Sequence, residues 1–114
     1  MEEAGAEDMI ETDIRVVLVT APDEEVGARL ARSVVAAGLA ACVNRVSGVR
    51  SVYKWEGELR DDAEVLLIMK TTTDRLDALT SEVEQQHPYD CPEVIALPVV
   101  GGAAAYLDWL RGTE

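Results

Sequence analysis

With 114 residues, the chain has material for one hydrophobic core and not two, since compact domains usually run to about 100–150 residues. Its 22 acidic against 10 basic side chains leave a formal charge of −12, a field that repels phosphate backbones and argues against nucleic acid as a partner. No apolar run approaches bilayer length, no basic segment leads into an apolar stretch, and only Cys42 and Cys91 are present, so the expectation is a reduced, cytoplasmic protein with free thiols that engages no membrane.

Six of the acids (Glu2, Glu3, Glu7, Asp8, Glu11 and Asp13) fall in residues 1–13 with no base or aromatic among them. Such a stretch cannot bury enough apolar surface to offset its ordering entropy, and a disordered acidic leader is expected there, followed by a single domain over residues 14–114. Ile14 to Thr20 is nearly all β-branched or aliphatic, as a buried strand would be. Pro22-Asp23-Glu24-Glu25 then supplies an N-cap and early carboxylates, Val26, Leu30 and Val34 recur at helical spacing, and Gly38 suits the left-handed stop. Glu25 and Arg29 stand one turn apart as a candidate ion pair.

From Cys42 to Trp55 the chain reads as a strand, with a hairpin turn at Glu56-Gly57. The return strand is expected near Glu58-Leu59, interrupted by Arg60-Asp61-Asp62 and resuming over Glu64–Lys70. Thr73-Asp74 opens a second helix on Leu76, Leu79 and Val83, which must end before Pro88. A last strand at Val94–Leu97 and a short helix from Ala103 to Leu110 complete the order β-α-β-β-α-β plus helix, an α+β, ferredoxin-like split βαβ arrangement. At about 3.3 Å per residue the 42–55 strand would extend roughly 46 Å, far beyond a radius of gyration near 13 Å for such a domain. It must bend, for which Gly48 offers a bulge, or leave the domain so that Tyr53 and Trp55 pack on another subunit.

The segment His87-Pro88-Tyr89-Asp90-Cys91-Pro92-Glu93 holds the only histidine, a thiol, a phenol and two carboxylates between stiffening prolines. Imidazole and thiolate are ligands that copper and zinc prefer, although one His and one Cys fall short of a full ligand set. The competing reading is structural: His87 ends the helix and the prolines guide the chain into the last strand. Cys42, among small and apolar residues, is either a buried hydrophobe or a thiol donor, and Lys70 is either an ammonium at the rim of a site or a solvated strand end. No Gly-x-Ser-x-Gly elbow, P-loop or dinucleotide fingerprint occurs, and a chain without them is expected to have no catalytic residues.

Ala21-Pro22-Asp23-Glu24, Leu39-Ala40-Ala41-Cys42-Val43-Asn44, Tyr53-Lys54-Trp55-Glu56-Gly57, Lys70-Thr71, His87-Pro88-Tyr89 with Pro92-Glu93, and Tyr106-Leu107-Asp108-Trp109 together resemble the CutA divalent-cation tolerance proteins, in order and spacing, over residues 14–110. The resemblance implies a homotrimer of ferredoxin-like subunits whose long hairpins interlock, and a link to copper or another divalent ion as cofactor. It implies His87 and Cys42 as metal candidates, and Lys70, Tyr89, Glu93, Trp55 and Glu56 as the lining of a cleft between subunits. Two of three copper-ligand positions proposed in some bacterial members hold Val19 and Gln86 here, so a weakened site that still depends on His87 is expected. The alternative is a signalling or scaffold protein that binds a small anion through Lys70 or a partner protein in those clefts.

Overall fold

The computed structural model describes residues 10–112. Four strands, β1 (Ile14–Ala21), β2 (Cys42–Trp55), β3 (Glu58–Thr72) and β4 (Val94–Pro98), form one antiparallel sheet in the order β2-β3-β1-β4. Helices α1 (Glu24–Ala36), α2 (Leu76–Gln86) and α3 (Ala104–Arg111) follow β1, β3 and β4 respectively. This is the ferredoxin-like α+β arrangement read from the sequence, with α1 and α2 on one face of the sheet.

Local chemistry sets the element ends. Asp23 caps α1 by accepting the Val26 N–H at 2.9 Å, and Glu24 and Glu25 lie in the first turn. At the other end Gly38 takes φ +74°, its N–H donates to the Val35 carbonyl and that of Leu39 to the Val34 carbonyl, the paired bonds of a left-handed helix stop. Arg29 does not pair with Glu25; its guanidinium donates instead to the Gln86 carbonyl, an unsatisfied acceptor at the end of α2. Helix α2 starts at Leu76, later than expected, because Thr73–Arg75 form a turn in which the Thr72 hydroxyl bonds the Asp74 carboxylate.

Alternation decides the core. Val17, Val19, Leu67 and Met69 point to the helices and, with Leu30, Val34, Leu79 and Val83, lose all contact with solvent. The intervening residues make rows across the opposite face: Cys42, Lys70, Val16 and Leu97 in one, Asn44, Ile68, Leu18 and Ile95 in the next. Helix α3 covers only one end of that face, with Tyr106 beside Cys42, and Ile95 and Leu97 stay 52% and 45% exposed.

The hairpin differs from expectation in one respect: β3 runs unbroken through Arg60-Asp61-Asp62, since those side chains lie on a two-stranded arm where both faces meet water and polarity carries no penalty. Pairing of β2 with β3 continues to Trp55 opposite Glu58, with a bulge between Val46 and Val49 where Gly48 adopts φ +80°. Glu56 and Gly57 turn the arm with φ 52° and 82°. The arm draws the molecule out to 49 × 35 × 23 Å.

Ordered contacts begin before Ile14. Thr12 bonds the Val99 carbonyl through both its N–H and its hydroxyl, and Asp13 accepts from the Arg111 side chain at 2.8 Å, a contact that holds its carboxyl below the usual range. The expected leader therefore overlaps packed structure at 11–13; its residues 1–9 lie outside the described residues.

Candidate functional site

The loop from His87 to Glu93 passes over the end of the sheet where β1 stops and β2–β3 continues as the arm. Pro88 imposes the extended ψ of 139° at His87, ending α2 there and turning the ring inward. Pairing with β4 ends at Val19, and beyond it the Thr20 carbonyl is taken by His87 Nε2 at 2.7 Å. Its Nδ1 accepts the Tyr89 N–H at 3.1 Å. A carbonyl can only accept and an amide N–H can only donate, so the bonds assign the Nε2–H tautomer and leave neither ring nitrogen free.

That geometry leaves the two expected metal donors apart within one chain. His87 is 7% exposed with both ring nitrogens engaged. Cys42 lies in the Val16 row, four residues or about 13 Å along β1 from the Thr20 row, and the two do not meet within one chain. Its neighbour is the Tyr106 hydroxyl of α3, whose pKa is raised by burial and then by the thiol. Both cysteines are free, and no group of three or more His, Cys, Asp and Glu side chains is placed to hold a metal ion among the described residues. Val19 is sealed in the core, and the Gln86 amide bonds Ser33 and Glu82.

The expected cleft is assembled in part. Trp55, Tyr89 and Glu93 line one cavity of about 630 Å³ between the arm and the loop. Glu56 is on the hairpin turn and outside the cavity lining, while Lys70 stands at the far end of the open face, bonded to the Asn44 side-chain carbonyl. Residues the sequence did not assign to the cleft also line it: Thr20, Ser51, Tyr53, Arg60 and Glu64. Strand alternation could have found most of them, because Ser51, Tyr53 and Trp55 share one face of β2 and their partners include Arg60. Glu64 carried a further signal, a carboxylate heading an otherwise apolar strand.

Glu64 is the centre of the cavity's electrostatics. It is 8% exposed, and its Oε2 accepts the Tyr89 hydroxyl at 3.0 Å. Desolvation, then that bond to Glu64, pushes the Tyr89 phenol up to about 12, so it remains a neutral donor across the physiological range. Partial burial, then the charge of Glu64, raises the Glu93 carboxyl above its ordinary value. Tyr53 donates to Asp62 at 2.5 Å, which holds its ring at the cavity wall. Glu64, Asp90 and Glu93 thus face Arg60 as the single cationic lining residue, an arrangement suited to a positively charged ligand.

Comparison with known proteins places the molecule among relatives. Residues 15–113 match the family model described as CutA1 divalent ion tolerance protein. The chain is 56% identical over 98 residues to the chloroplastic protein CutA 1 of Oryza sativa subsp. japonica, covering 86% of this chain and 55% of that one. It is 50% identical over 96 residues to the divalent-cation tolerance protein CutA of Thermus thermophilus, covering 84% and 93%. The solved structure of the Thermus thermophilus divalent cation tolerance protein superposes with a TM-score of 0.85 at 48% identity, over 89% of this chain and 99% of that one. The chain spans about half the length of the plant relatives. With nearly its whole described length inside the family match, this chain belongs to the CutA1 divalent ion tolerance family.

Proposed function

We propose that the chain serves divalent-cation tolerance as a cytoplasmic, non-catalytic homotrimer that binds copper or a similar soft divalent ion with donors from more than one subunit. The observation that carries the assembly is the uncovered sheet face, where Val46, Ile95 and Leu97 are 41–52% exposed, together with an arm that carries Trp55 at 47%. So much contiguous apolar surface is costly in water, and a second copy of the chain is the partner always present at matching concentration. With both His87 nitrogens engaged, the soft donor on that face is Cys42, and it is the donor the proposed trimer uses.

Sedimentation of the full chain tests the assembly, with a trimer mass expected at micromolar concentration and a compact monomer overturning it. Anaerobic copper titration of the reduced protein tests the site: Cys42→Ser is expected to remove the tight phase, and unchanged binding in that variant rejects the thiol.

A second reading is favoured by the cavity itself, in which a small ligand binds between the arm and the His87–Glu93 loop and the protein acts as a sensor or scaffold. Three carboxylates against one guanidinium call there for a cation, and not for the anion that Lys70 suggested.

A further inference from the structure

We propose that this cleft binds a small molecule bearing a primary ammonium group on an apolar or aromatic body, with an amino acid as the class that engages all of its features. The inference rests on the second reading above, that the cleft takes a small ligand, and specifies what that ligand is.

Four observations converge on it. Glu64 is more than nine-tenths buried, and while its Oε2 accepts from Tyr89, its Oε1 has no hydrogen-bond partner among the described residues. A buried carboxylate oxygen without a donor is costly, and an ammonium supplies both the missing N–H and the opposite charge. Glu93 enters the same cavity, its carboxyl raised partly by Glu64, so a cation seated between the two relieves their repulsion. Trp55, Tyr53 and Tyr89 provide aromatic walls, whose ring faces attract an ammonium and whose area accepts an apolar body. Arg60 also lines the cavity, with no side-chain hydrogen bond or ion pair among the described residues, which leaves its planar fork for a ligand carboxylate.

A bare metal ion fits this set less well. Tyr89 spends its proton on Glu64, the carboxylates and Cys91 do not form a three-donor cluster, and Arg60 would repel the ion. A zwitterion meets both signs of charge at once.

Calorimetric titration of the full chain at neutral pH with phenethylamine, L-phenylalanine and 3-phenylpropionate separates the possibilities. The two amines are expected to bind and the acid is not. Glu64→Gln and Glu93→Gln should each weaken both amines by about tenfold or more, the loss of one charge-assisted bond. Arg60→Ala should weaken L-phenylalanine alone. Should Glu64→Gln fail to fold, Glu93→Gln, at an exposed position, keeps the test intact. Binding of 3-phenylpropionate alone leaves the small-ligand cleft standing and overturns the ammonium assignment. No binding of any of the three at millimolar concentration overturns both. Amine binding indifferent to both carboxylate variants places the amines elsewhere and also overturns the proposal.

Discussion

The two faces of the sheet are built from the same strands yet finished differently. Along β3, Leu67 and Met69 are sealed beneath α1 and α2, whereas Leu66 and Ile68, which alternate with them, keep partial contact with water, and on β4 Ile95 and Leu97 are about half exposed. Composition does not distinguish the faces, since both are rich in Val, Leu and Ile. The difference teaches that the helical face closes the core of the chain, while the open face and the arm that prolongs it leave the apolar surface on which the proposed assembly rests.

Perturbing each face should therefore yield different failures. The largest effect is expected from Ile95→Lys on the open face: an ammonium in an apolar contact costs several kcal/mol per ion, so sedimentation should report monomers that retain native circular dichroism. A trimer of unchanged mass would put the interface elsewhere. Leu67→Ala, on the closed face, should cost about 2–5 kcal/mol of stability in denaturant titrations through the cavity it leaves, with the mass seen in sedimentation unaltered where the protein is still folded.

His87 lies where the closed core meets the cleft, and His87→Ala sharpens the contrast between a structural and a ligating residue. Loss of its two bonds strands the Thr20 carbonyl and the Tyr89 N–H, for an expected destabilisation of about 2 kcal/mol. Copper affinity should not change in this variant, the opposite of what the family's ligand positions imply. A large loss of copper binding with stability intact would restore His87 as a ligand.

The smallest effect is expected from Glu93→Gln, and its sign is informative. Folding raises the Glu93 carboxyl above its ordinary 4.5, so the fold favours the protonated form; its contribution to stability is present at low pH and is lost as pH rises through the folded-state value. The amide should thus raise Tm slightly at neutral pH, by roughly 1–3 °C, since much of the charge is screened by solvent. The gain should vanish near pH 4. A lower Tm at neutral pH would mean that Glu93 is held by a cation rather than repelled by Glu64.

What the residues alone determined is the set of elements and their order. Asp23, Gly38 and Pro88 act on their immediate neighbours, so the ends of α1 and the stop of α2 were legible one residue at a time. The overlong β2 was legible as arithmetic, and its arm follows. The relation of parts distant in the chain was not. Whether His87 could ligate depended on the Thr20 carbonyl, 67 residues away, and on where β4 stopped flanking β1. Cys42 and His87 each matched a metal donor in type, but Cys42 pairs in the Val16 row while His87 bonds the Thr20 carbonyl four residues farther along β1. Glu64 became the centre of the cleft only because the loop from α2 brings the Tyr89 hydroxyl across 25 residues of sequence to meet it. Caps, turns and alternation are short-range effects and can be read from neighbours; donor pairing in a site depends on distances between strands and loops, which only the packed sheet defines.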